Sequence, residues 1–98
     1  MVTVETIRAL IVAEAANIGY LATDADALPD DFDLRLNGVI DSLGFIELIG
    51  ALQDRLGLDF DLGDLPPEQL TVLAPLARAI ARQVAVDRGD TATAEALR

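Results

Sequence analysis

The sequence contains no histidine and no cysteine, and each absence removes a class of chemistry. Without Cys there is no disulfide framework, and cysteine usage gives no sign of a redox compartment. Lys is missing too, since every one of the 7 basic residues is Arg. A serine nucleophile would therefore find neither His nor Lys as its base. Aromatic residues make up only 4% of a chain that is 52% apolar, so the core must come from Leu, Ile, Val and Ala. Such a core suits small packed helices better than a sheet. Basic charge is scarce: 7 Arg against 17 acidic residues leave a net charge of −10. Nucleic acid is a poor partner for that balance, because its binding rests on Lys and Arg contacts with phosphate. The apolar run from Ala9 to Ala13 is far too short to span a bilayer, and the stretch from Met1 to Glu5 lacks the basic start of a signal peptide. The expectation is a cytoplasmic protein without a membrane partner. At 98 residues it has the size of one domain with a single core and no room for a deep internal active site.

Val4, Ile7, Ile11, Ala15 and Ile18 recur at helical spacing, with Thr3 as N-cap, Glu5 in the first turn and Gly19 as the stop. Residues 24–33 carry Asp24, Asp26, Asp30, Asp31 and Asp33 with Pro29 and no period, which predicts a long acidic loop. A second helix is expected from Asp41 or Ser42 to Leu56, closed by Gly57. A second loop follows over Asp59 to Pro67, and Pro66-Pro67-Glu68-Gln69 can open one short turn. Val72, Leu73, Leu76, Ile80 and Val84 mark a last helix over 72–86 that ends towards Gly89. Thr71 is its expected cap, and Pro75 near its start suggests that the helix begins later. The tail 90–98 is rich in Ala and Thr and is expected to fray. The predicted fold is all-α: a small bundle of three main helices and one short one, with a long acidic first loop.

The second helix has apolar residues on two faces. Phe45, Leu48, Ile49, Leu52 and Leu56 follow the i, i+3, i+4, i+7 rule and define the core stripe. Leu43, Ile46 and Gly50 fall on another face with Glu47 and Asp54. Isolated exposed apolar residues are common and need no explanation. Their position directly after Ser42 is what raises a second reading, a face for partners. Ser42 has two readings of its own. Asp and Ser are both preferred N-caps, and by spacing alone the cap reading prevails. With no base in the chain, a displayed serine is otherwise a residue acted upon, and a phosphate-linked group at a helix start would meet unpaired N–H donors and the positive end of the dipole.

Asp41-Ser42-Leu43, followed by Glu47-Leu48 and preceded by an acidic loop and a first helix, resembles the acyl and peptidyl carrier proteins over roughly Val4 to Val86. The resemblance implies that Ser42 receives 4′-phosphopantetheine from coenzyme A, that Asp41 helps position it, and that Leu43, Ile46, Glu47 and Gly50 face partners. It implies a carrier unit over 1–89 that is not an enzyme. The arm would bring the thiol that the chain lacks and hold an acyl or aminoacyl group as a thioester. Implied partners are a phosphopantetheinyl transferase, an adenylating acyl or aminoacyl ligase and an acyltransferase or synthase, in polyketide or nonribosomal-peptide-type secondary metabolism, with the carrier a monomer. Fatty-acid carriers usually read Leu-Gly-x-Asp-Ser-Leu with a strongly acidic second helix. Here Gly38-Val39-Ile40 leads into Asp41, and Gly44, Gly50 and Gln53 replace more acidic or bulkier residues. That is more similar to D-alanyl carriers and stand-alone peptidyl carriers, and favours an aminoacyl cargo. A start at Met1 without a Pro- or Ser-rich leader suggests a free-standing protein.

The rival from another class is a helical interaction module that docks through Leu43 and Ile46 and leaves Ser42 unmodified. The aspartates do not make a Ca²⁺ loop: from Asp24, Leu28 and Pro29 fill the fifth and sixth positions, and from Asp59, Gly63 falls at the fifth and Leu70 at the twelfth. Solvated acidic loops are the expectation, with no metal site. Arg78 and Arg82 are expected on the solvent face of the last helix.

Overall fold

Thr3 opens the first helix as expected: its Oγ1 accepts the N–H of Thr6 at 3.1 Å, and α1 runs over Val4–Ile18. A computed structural model describes residues 3–19, 28–63 and 65–89. Part of the acidic loop, including Asp24 and Asp26, and the tail 90–98 lie outside the described residues. Two further helices follow, α2 (Ser42–Leu56) and α3 (Leu73–Asp87). The short fourth helix is a single 3₁₀ turn over Pro67–Gln69 that buries nothing. There is no strand among the described residues, only an isolated antiparallel bridge between Asp33 and Val72.

The helical stripes meet in one core. Ile7, Ile11 and Ala15 of α1, Leu48 and Leu52 of α2, and Leu76, Ile80 and Val84 of α3 are fully buried in the same cluster. Phe45, Ile49 and Leu56 flank it half-buried, as do Val4 and Ile18. Helix α1 packs against both others. Glu14 is also buried on α1 and forms an ion pair with Arg55 of α2. No helix among the described residues is long and apolar enough to cross a membrane.

The expected cap of α3 is wrong in an informative way. Val72 occupies the cap position with no side-chain hydrogen bond, and the Thr71 hydroxyl donates instead to Asp33 Oδ1 at 2.7 Å. The first two amides of α3 are satisfied from the loop between α1 and α2: Leu73 N–H donates to the Phe32 carbonyl and Ala74 N–H to that of Asp30, both at 2.9 Å. Pro75 comes third, where a helix has no internal acceptor to offer, so its missing N–H costs nothing.

That loop is also more than a solvated acidic stretch. Leu34 is fully buried, and Leu28, Val39 and Ile40 are buried with it in the core. Asp33 is half-buried and accepts the N–H groups of Arg35 at 3.0 Å and Leu36 at 3.1 Å as well as the Thr71 hydroxyl. Burial raises the Asp33 carboxyl, but these donors and the Arg35 charge together hold it below its ordinary value. The second loop is fastened by two glutamines. Gln53 accepts the N–H of Phe60 at 3.2 Å, and Gln83 pairs with both the N–H and the carbonyl of Asp61. Leu58, Phe60 and Leu62 are thereby held against the core.

Candidate functional site

Asp41, not Ser42, caps α2. Its Oδ1 accepts the N–H of Gly44 at 2.7 Å, its carbonyl takes the first helical bond from Phe45 at 2.9 Å, and Ser42 is the first helical residue. The cap reading of Ser42 fails because two adjacent residues cannot both occupy that position, and Asp at the extended one leaves the serine hydroxyl uncommitted. Ser42 is exposed. At the other end Gly57 closes α2 in the left-handed region at φ 70°, its N–H donating to the Gln53 carbonyl at 2.8 Å.

Gly44 sits buried beneath the cap, where a Cβ would lie 3.1 Å from Ile40 Cβ and 3.2 Å from Asp41 Oδ1. A larger residue would press on the carboxylate that orients the helix start. Gly19 matters for a different reason from the one expected of a helix stop. Its φ of −118° is open to any residue, but a Cβ there would stand 1.8 Å from the Val39 carbonyl oxygen. The end of α1 thus touches the backbone that leads into Asp41 and Ser42. Between them lies an open depression of about 580 Å³ bordered by Ile18, Gly19, Arg35, Gly38, Asp41 and Ser42.

The expected partner face is brought together by α2. Leu43, Ile46, Glu47 and Gly50 lie at i, i+3, i+4 and i+7. Leu43 is 64% and Ile46 66% exposed, and Glu47 is exposed beside them, while Gly50 is half-buried at the margin. Gly50 borders a shallow, mainly apolar groove with Phe45, Ile46, Ile49, Phe60 and Leu62. Arg78 is exposed and Arg82 half-buried on α3. Among the described residues no three His, Cys, Asp or Glu side chains gather as metal ligands.

Two residues of the turn that precedes Val39 and Ile40 escaped the sequence reading, Arg35 on the depression and Leu36, which follows it in the chain. Their only signal was a cation and an apolar residue following Asp33, whose spacing fits no periodic element.

Chemically, the arrangement offers an exposed hydroxyl at a helix N-terminus with an arginine on the adjoining depression. It contains no His or Lys to deprotonate that hydroxyl. It fits a serine esterified to phosphate better than one that attacks a substrate: the side chain is free of the cap, solvent reaches it, and the helix start favours an anion. A sequence model described as the phosphopantetheine attachment site matches residues 5–86. No curated protein and no solved structure matches the chain at a significant level.

Proposed function

Because the chain belongs to the phosphopantetheine attachment site family, whose members carry 4′-phosphopantetheine covalently, we propose that Ser42 is the residue that receives it. The protein then serves as a carrier of acyl or aminoacyl groups rather than as a catalyst. One observation carries the assignment: Asp41 takes the cap of α2 and leaves the Ser42 hydroxyl exposed at the first helical position. In the modification, Ser42 Oγ forms the new phosphodiester bond to the pantetheine phosphate of coenzyme A. The bond from that phosphorus to the nucleotide half breaks, and the hydroxyl proton passes to a base on the transferase, since this chain has neither His nor Lys. Asp41 holds the helix start in place, and the first-turn N–H groups favour the anionic ester. Once attached, the group supplies a terminal thiol that holds the cargo as a thioester.

Leu43, Ile46, Glu47 and Gly50 form the face that partners recognise, and the carrier unit spans 1–89, since α3 reaches Asp87 and the chain turns at Gly89 with φ 79°. The partners proposed are a phosphopantetheinyl transferase, an adenylating ligase and an acyltransferase or synthase of a polyketide or nonribosomal-peptide-type pathway. The cargo proposed is aminoacyl, supported by the Gly38-Val39-Ile40 lead-in and by Gly44, Gly50 and Gln53 on α2.

Intact mass after incubation with coenzyme A and a broad-specificity transferase tests the assignment. Wild type should gain one phosphopantetheine, and Ser42→Ala should gain none while keeping its helix content. Unmodified wild type would instead favour an interaction module that docks through Leu43 and Ile46.

A further inference from the structure

At 85% exposure, Leu36 is the most exposed large apolar side chain among the described residues. A lone exposed leucine needs no explanation when it sits on a loose loop, but this one is held. The N–H groups of Arg35 and Leu36 are bonded to Asp33 Oδ1. Asn37 donates both its backbone and its side-chain N–H to the Asp33 carbonyl, and Gly38 N–H donates to that of Arg35 at 3.1 Å. Gly38 closes the turn in the left-handed region, at φ 73°. The core asks this segment for Leu34, Val39 and Ile40, all buried; it asks nothing of position 36. Both ends of the turn, Arg35 and Gly38, border the depression that Ser42 also borders.

We infer that Leu36 is an apolar contact for the enzyme that transfers phosphopantetheine to Ser42, acting with Leu43 and Ile46. The inference rests on Ser42 being the attachment site. It names the transferase, rather than a later partner, because of reach: an enzyme acting on the thiol works at the end of a long arm, whereas one that bonds phosphorus to Ser42 Oγ must lie against the surface around it. That surface comprises the turn before Ser42 and the helix after it. Asp31, Asp41, Glu47 and Asp54 are exposed on these segments against Arg35 and Arg55, which leaves the surface net acidic, so the fitting occupant has an apolar seat with a mainly basic rim. A preformed turn limits the ordering lost on binding.

Leu36→Asn removes the apolar contact without adding charge, and Val86→Asn is the control at another exposed apolar residue, 55% exposed on α3. Leu36→Asn should melt with wild type yet show a kcat/KM for phosphopantetheine transfer lower by about tenfold, mainly through KM. Titration of the transferase with Ser42→Ala, with and without Leu36→Asn, should show the same loss of affinity in the absence of any reaction. Val86→Asn should change neither. Wild type modified on Ser42 while Leu36→Asn reacts and binds equally well overturns this inference alone, as does equal weakening by Val86→Asn. Wild type that gains no mass overturns the proposed function and this inference with it.

Discussion

Gly19→Ala places a methyl group where the backbone of the neighbouring segment already lies. The new Cβ would start 1.8 Å from the Val39 oxygen and 2.8 Å from its carbonyl carbon. Contacts of Cβ below 3.0 Å are essentially never seen, so the two segments must separate by about 1.2 Å. The segment that would move carries Val39 and Ile40, both buried, and both of their N–H groups donate to the Leu34 carbonyl. Overpacking of this kind costs about 1–3 kcal/mol, and the stiffer unfolded chain of Ala over Gly offsets about 0.4–1 kcal/mol of it. A net loss of about 1.3 kcal/mol should lower Tm by about 5–10 °C in a domain of this size. Thermal melts followed by circular dichroism measure it directly. A variant that melts at or above the wild-type temperature would refute the close approach of α1 to Val39, and with it the account of how Ser42 is placed.

Gly50→Ala should do the reverse, since a Cβ at Gly50 meets nothing within 4 Å; a gain of about 0.5–1 kcal/mol is expected from helix propensity, and a lower Tm would contradict it. Leu52 is 0% exposed, so Leu52→Asp should cost on the order of 4 kcal/mol or more and largely unfold the domain. Ile46→Asp should leave the melt within about 0.5 kcal/mol while loading falls; unfolding, or unchanged loading, would show that Ile46 does not face partners. Asp33 has a lowered folded pKa, so its contribution to stability is complete above the unfolded value of about 3.9 and is lost as pH falls through the folded value. Asp33→Asn should therefore be less stable than wild type at neutral pH and lose less on acidification, a difference that parallel acid titrations would reveal.

The three helices were legible because each repeats an apolar stripe, and the start of α2 could be narrowed to Asp41 or Ser42 and its end to Gly57 because these are strong local signals. The identity of its cap was not legible: Asp and Ser are equally good in that role, and only the extended backbone at Asp41 decides between them. Thr71 illustrates the limit from the other side. Its position before a helix looks like a cap, yet Asp33, far away in the sequence, claims its hydroxyl. The candidate site was legible as a motif and as a face, whereas Arg35 and Leu36 were not, because a turn held by one carboxylate leaves no period to count.

The borrowed acceptors at the start of α3 bear on the order in which the chain folds. Leading amides of a helix ordinarily face water and exchange quickly, but those of Leu73 and Ala74 are bonded to Phe32 and Asp30, some forty residues earlier. Their protection therefore reports on the closure of a long loop rather than on helix formation, and closing that loop has an entropic cost that neighbouring turns do not carry. In hydrogen exchange these two amides should open together with the segment around Asp33, as one cooperative unit, and more slowly than the C-terminal turn of the same helix. The start of α3 is then secured by the closure of that loop and not by the growth of the helix it begins.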